Sequence, residues 1–208
     1  MADLSSRTVT VTGIAAATVR PDRATLTLGV QARAASAGEA LAVAAQRASA
    51  VIAALRSAGV GDADIQTSGI SLWSERPDRG ARTVYVAGHT LTASTGADDA
   101  GRLIDLAAPA GGDEFTMNGL SLSIADPAAV VAPLRTEALA DARAKAEALA
   151  AAEGAAVGVV VTIVEGAGMD IPMPRARGEM RAMTMPVEVG TQSLTMRVTA
   201  TYELTGRF

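Results

Sequence analysis

The chain has 208 residues, 49% of them hydrophobic, and carries 18 Lys and Arg against 22 Asp and Glu, a net charge of −4 at pH 7. That length can bury a substantial core, as one large domain or as two intertwined subdomains. The mild acidity, with no long block of either sign, argues against electrostatic capture of nucleic acid or of an anionic membrane.

With no Cys, the chain has no disulfide framework, thiol nucleophile or Cys-based zinc site. No apolar run approaches the ~18–20 residues needed to cross a bilayer, so no membrane span is expected. The start, MADLSSRTVT, has neither a basic n-region nor an apolar h-region. As given, the chain is expected to be cytoplasmic, and to be exported only if a leader has been removed.

In chain order, RTVTVTG and TVRPDRATLTLGVQAR both alternate apolar with polar residues, with Pro21-Asp22 between them. They predict a β-hairpin of strands 8–19 and 23–34. The next segment, SAGEALAVAAQRASAVIAALRSAGV, predicts a helix over 37–57. Ser36 and Glu39 have capping-box spacing, Leu41, Ala44, Ala48, Val51, Ile52 and Leu55 recur on one face, and Gly59 can close the helix in the left-handed conformation.

DIQTSGISLWSE and RTVYVAGHTLTAS then read as two strands joined by the hairpin turn RPDRGA. DDAGRLIDLAAPAGG is expected to be a short helix capped by Asp98 or Asp99 and closing at Pro109 and Gly111. NGLSLSIAD is a strand, and Asp126-Pro127 marks a strong helix start.

The segment TEALADARAKAEALAAAEGAAVG lies in a helix expected over 128–153. Val131, Leu134, Ala138, Ala142, Ala146 and Leu149 share one face, away from Arg135, Asp141, Lys145 and Glu153. A stripe made mostly of alanine suits close backing of a sheet, whereas a coiled coil wants large residues at its a and d positions. Gly154 ends the helix, VGVVVTIVEG is expected to be a buried strand, and TQSLTMRVTATYELTGRF places Leu194, Met196, Val198, Ala200, Tyr202 and Leu204 on one strand face. The order ββ-α-ββ-α-β-α-ββ indicates an α+β fold of antiparallel β-sheet with helices packed on one face.

Four blocks in order, VTVTGIAAATVRPDRATLTLGV, ALRSAGVGDADIQTSGISLW, YVAGHTLTAS and ALADARAKAEALAAAEGAAVGVVVTIVEG, resemble the SIMPL domain family, also called DUF541. The resemblance runs from about Val9 to Leu204, and the combination of the Pro-Asp turn, DIQT and DARAKAEALA…G carries it. It implies a single SIMPL-like domain over 1–208, similar to bacterial envelope or periplasmic antigens linked to oxidative-stress tolerance. Some such proteins assemble into large ring- or channel-like homo-oligomers. It supplies no catalytic residues to carry over.

The residues themselves name no reaction. His89 is the single histidine, no G-x-S-x-G elbow or cluster of ligands accompanies it, and a structural role on its strand is expected. Asp62 with Asp64, and Asp98 with Asp99, are explained by turn and cap chemistry. GAG at 166–168 lacks the rest of a phosphate or dinucleotide fingerprint, and aromatic residues, 2% of the chain, are too few for base stacking. No enzyme activity and no cofactor are therefore expected.

Residues 166–186 are expected to form a long Met-, Pro- and Arg-rich loop. Met169, Met173, Met180, Met183 and Met185, with Arg175, Arg177 and Arg181, are expected to be oligomer contacts, since thioethers adapt to irregular apolar partners and guanidinium groups favour interfaces. A plain loop without such contacts ranks next, and the alternative function is a protein that binds a soft metal or a small ligand through this loop.

Overall fold

The computed structural model describes residues 7–76, 82–166 and 187–206. Its elements are β1 (Thr8–Val19), β2 (Arg23–Ala34), α1 (Ala37–Ser57), β3 (Ile65–Glu75), β4 (Val84–Gly96), α2 (Ala100–Gly111), β5 (Phe115–Ser123), α3 (Pro127–Ala152), β6 (Ala156–Glu165) and β7 (Gln192–Thr205). The strands form two antiparallel sheets, one ordered β1-β7-β6 and the other β3-β4-β2-β5. Helices pack on both sheets, giving the α+β architecture that the element order indicates.

The helix ends follow from local chemistry. Ser36 accepts a hydrogen bond from the Glu39 backbone N–H at 3.2 Å, and the Asp126 carboxylate accepts from the N–H groups of Ala128 and Ala129 at 3.1 and 3.3 Å. Each satisfies donors that a first turn leaves free. Gly59 and Gly154 follow α1 and α3 at φ of 94° and 69°, a conformation that a Cβ disfavours. Asp99 precedes α2 without a side-chain capping bond and instead pairs with Arg102 at 3.0 Å. That helix continues through Pro109 to Gly111.

Strands β1 and β2 do not form the hairpin that their alternation predicts. β2 is an inner strand with β4 on one side and β5 on the other, so neither of its edges is left for β1, which pairs with β7 along its whole length. Asp22 is consumed in joining elements rather than in a tight turn. Its N–H donates to Ser123 O at 3.2 Å, its carbonyl accepts from Ala97 N–H at 3.0 Å, and its carboxylate accepts from Ala125 N–H at 2.7 Å. β3 and β4 do pair as the expected antiparallel neighbours.

The chain divides into two units. One gathers β1, α3, β6 and β7, and the other gathers β2 to β5 with α1 and α2. The second unit begins at Pro21 and ends its main span at Ala125, so the Asp22–Ala125 hydrogen bond ties its two ends together.

The core of the second unit is built from Leu26, Leu28 and Val30 of β2, Leu91 and Ala93 of β4, Val51 and Leu55 of α1, and Leu103 and Ile104 of α2. Helix α1 has the length and apolar composition to cross a membrane. Its stripe of Ala40, Ala44, Ala48, Val51 and Leu55 lies within this core. Leu41, expected on that stripe, is exposed because the buried positions step by four or three from Ala40.

In the first unit α3 backs the three-stranded sheet, as its alanine stripe indicates. Val131, Leu134, Ala138, Ala142, Ala146 and Ala150 are buried, while Leu149 faces out. The small stripe allows a very close approach. A Cβ built on Gly13 of β1 would overlap the Ala138 carbonyl oxygen and lie 2.5 Å from Ala142 N. Replacing Ala142 with Leu should therefore overpack the contact and destabilise this unit by about 2 kcal/mol. A lowered denaturant midpoint checks this.

Candidate interaction surface

Strand β6 reverses one expectation. Its apolar run suggests a buried strand, yet Val159, Val160, Val161, Ile163 and Val164 are each between 44% and 66% exposed. Its place in the sheet bears on this, because among the described residues β6 is an outer strand with β7 as its one neighbour. Its first half is also irregular. From Val157 to Thr162 β6 advances five residues while β7 advances three, from Leu204 to Thr201. The two additional residues turn valines towards solvent, a usual effect of bulges at sheet margins. From Thr162 to Glu165 the register is regular.

The two outer edges of this sheet are treated differently. On β1, the Ile14 N–H donates to Asp141 Oδ2 at 2.8 Å, and the Thr12 carbonyl accepts from Lys145 Nζ at 3.0 Å. Asp141 and Lys145 also pair with each other at 2.7 Å. These side chains, one turn apart on α3, do what a neighbouring strand would do: one accepts from the edge and the other donates to it. Such charged cover keeps an edge from pairing with another chain.

On β6 the nine residues 156–164 carry no charge. Glu165, which follows, is held by Arg135 of α3 through bonds of 2.9, 3.0 and 3.1 Å. The hydrogen bond to Arg135 holds the Glu165 carboxyl below the usual carboxylate range, and the same bond raises the Arg135 guanidinium.

Asp141 is likewise held below the usual aspartate range, first by its bond to Lys145 and then by the Ile14 N–H. A depressed folded-state value stabilises the fold above the unfolded-state pKa, and the contribution disappears as pH falls through the folded value. Asp141→Asn should therefore flatten the acid limb of the stability profile while leaving the slope at neutral pH unchanged. Denaturant midpoints measured against pH decide this; a mutant limb as steep as wild type contradicts it.

In the other unit β3 is also an outer strand, and it exposes Ile70, Leu72 and Trp73. His89 of β4 is half-buried and hydrogen-bonds through Nε2 to Thr67 Oγ1 at 3.1 Å. The acidic loop residues find cationic partners, Asp62 with Arg56 at 2.7 Å and Asp64 with Arg23 at 3.0 Å. The Arg23–Asp64 pair and Asp22 line an open cleft of about 280 Å³, where the charges already engage one another or the backbone. Among the described residues, no group of three or more His, Cys, Asp or Glu side chains could hold a metal ion.

Met169, Met173, Arg175, Arg177, Met180, Arg181, Met183 and Met185 lie outside the described residues. The residues that sequence reasoning missed are those of β6 and the pair Asp141 and Lys145. Lys145 and Asp141 are visible in the sequence as a helical i,i+4 pair, but not as cover for a strand.

A family model described as SIMPL, a protein of unknown function (DUF541), matches residues 9–202. The 26 kDa periplasmic immunogenic protein of Brucella melitensis biotype 1 is 32% identical to the chain over 216 residues, spanning 94% of this chain and 84% of its own length. The protein of the same description from Brucella abortus strain S19 matches with the same identity and coverage.

Proposed function

The chain belongs to the SIMPL (DUF541) family, and from that premise we propose that it is a non-enzymatic protein that assembles with copies of itself in a bacterial envelope compartment, with a role in stress tolerance. The observation that carries the assembly is β6, an outer strand with five exposed aliphatic side chains and no charge before Glu165. Among the described residues no strand covers its outer side, and a strand edge flanked by apolar side chains is a template for pairing that soluble proteins ordinarily block. The same sheet does block its other edge, with Asp141 and Lys145.

The envelope location draws on the two relatives described as periplasmic proteins, and the stress role on the family resemblance. The non-enzymatic reading draws on the sequence, in which no nucleophile or acid–base set accompanies the single His89. The Met–Arg segment 169–185 stands as a second set of contacts in the same assembly. Light scattering on the purified chain over a micromolar concentration series tests the reading. A mass that is a multiple of the 20.9 kDa chain is expected, and a single-chain mass throughout would overturn it.

A further inference from the structure

We infer that the four-stranded sheet binds a short neutral oligosaccharide on the face opposite α1 and α2, between Gly29 and Trp73. The inference concerns the unit of β2 to β5 and does not depend on the self-assembly reading.

Strand alternation divides this sheet in two. Ala24, Leu26, Leu28, Val30 and Ala32 of β2 lie in the core with α1 and α2, so Thr25, Thr27, Gly29, Gln31 and Arg33 turn to the other face. Residues paired across strands share a face. Thr90 and Gly69 therefore stand beside Gly29, Gly88 and Ser71 beside Gln31, and Val86 and Trp73 beside Arg33. On the β5 side, a shift in register brings two polar side chains to one point. A Cβ built on Gly29 would lie 2.8 Å from Thr116 Oγ1 and 3.3 Å from Asn118 Nδ2. A hydroxyl and an amide thus converge at the middle of the face, where Asn118 is exposed and Thr116 and Thr90 are half-buried.

Gly88 makes the same room for the indole. A Cβ there would lie 2.6 Å from Ser71 Oγ and 3.9 Å from Trp73 Cζ3, so the Trp73 ring extends from β3 across β4. Its N–H donates to Glu75 Oε1 at 2.9 Å, and the residue remains 38% exposed. With the N–H engaged, the surface that Trp73 offers a ligand is ring carbon. From Gly29 to Arg33, beside the indole, β2 advances about 13 Å, a span suited to a short chain of sugars.

Charge and polarity select the occupant. The ion pairs stand at the two ends of β2, with Arg33 3.8 Å from Glu75 and Arg23 3.0 Å from Asp64. Between them Thr25, Thr27, Gly29 and Gln31, and the facing Thr90, Thr92 and Ser94, carry no charge. An anionic ligand, nucleic acid included, is offered no cation along that stretch. An apolar ligand would strip water from hydroxyls and amides without replacing its hydrogen bonds. Extended peptides add to sheets at the edges, through main-chain bonds, and not on a face. Sugar hydroxyls donate and accept as Thr, Ser, Asn and Gln side chains do, and the C–H face of a pyranose ring packs on an indole. A neutral oligosaccharide satisfies both parts of the surface.

Trp73 is the one tryptophan of the chain, so indole emission reports from this face alone. Cellotetraose or chitotetraose, titrated to millimolar concentration into the purified chain, should change that emission saturably and release heat in calorimetry. Tetragalacturonate, its carboxylates unmatched here, should bind at least about tenfold more weakly. Trp73→Ala should weaken binding of the neutral sugar about tenfold or more. Thr90→Val, which keeps the side-chain shape and removes one hydroxyl, should weaken it about fivefold. Ile70→Thr, exposed on the helix-bearing face opposite His89, should leave it unchanged. No saturable binding of either neutral tetrasaccharide by fluorescence and calorimetry overturns the inference. Tetragalacturonate bound as tightly as the neutral sugars overturns the assigned ligand class, and Ile70→Thr weakening binding as much as Thr90→Val overturns the assigned face. Should Trp73→Ala fail to fold, the comparison of Thr90→Val with Ile70→Thr decides by itself.

Discussion

Gly13→Val is expected to destabilise the unit of β1, α3, β6 and β7 by about 3 kcal/mol or more, the upper range for overpacking. The reason is the identity of the atoms that a side chain would meet. They are backbone atoms of α3, Ala138 O and Ala142 N, together with the Ala142 methyl. A flexible side chain could swing aside, but the centre of a 26-residue helix cannot. Either α3 lifts from the sheet, exposing its alanine stripe, or β1 shifts. A shift of β1 would break the Ile14–Asp141 and Thr12–Lys145 bonds that depend on the same approach. Thermal or denaturant unfolding checks the value. A Gly13→Val protein within about 1 kcal/mol of wild type would mean that the helix does not sit this close.

Leu28→Ala should cost about 3 kcal/mol in the other unit, within the range for removing a fully buried leucine. Leu28 is fully buried on β2, between β4 and β5, in the cluster with Leu26, Leu91, Val51 and Leu55. Cover on three sides leaves little room for collapse into the cavity, which places the cost above that of a peripheral truncation. The two substitutions act in separate cores. Calorimetry on both variants should lower the stability of different units, and a loss below about 1 kcal/mol for Leu28→Ala would contradict the placement of this core.

What could be read in the sequence was what local chemistry determines. Ser36 and Asp126 start helices because their oxygens accept from free N–H groups, and Gly59 and Gly154 end them because the chain there takes positive φ. The alternation of β7 is legible since one face meets α3 and the other does not. Pairing was less legible. Alternation in β1 and β2 fixes which side chains point inward but says nothing about which strand lies alongside, and β2 is already flanked by β4 and β5.

The run VGVVVTIVEG misled for a related reason. Continuous aliphatic residues indicate a strand sheltered on both faces when it lies inside a sheet. In β6 the same composition stands at the margin, and bulges turn Val159 and Val161 outward. The clamp on β1 was illegible because it joins residues more than 120 positions apart. On the sequence alone Asp141 and Lys145 read as an ordinary solvent-facing pair.

Amide hydrogen exchange along β6 measures most directly whether this edge is covered in solution. At micromolar concentration the N–H groups of Ile163 and Glu165 should exchange slowly, and dilution below the association range should release them. Those of Thr162 and Val164, bonded towards β7, should stay protected in both conditions. If Ile163 and Glu165 exchange at the open-chain rate at every concentration while Thr162 and Val164 remain protected, β6 is folded but unpaired, and the central claim fails.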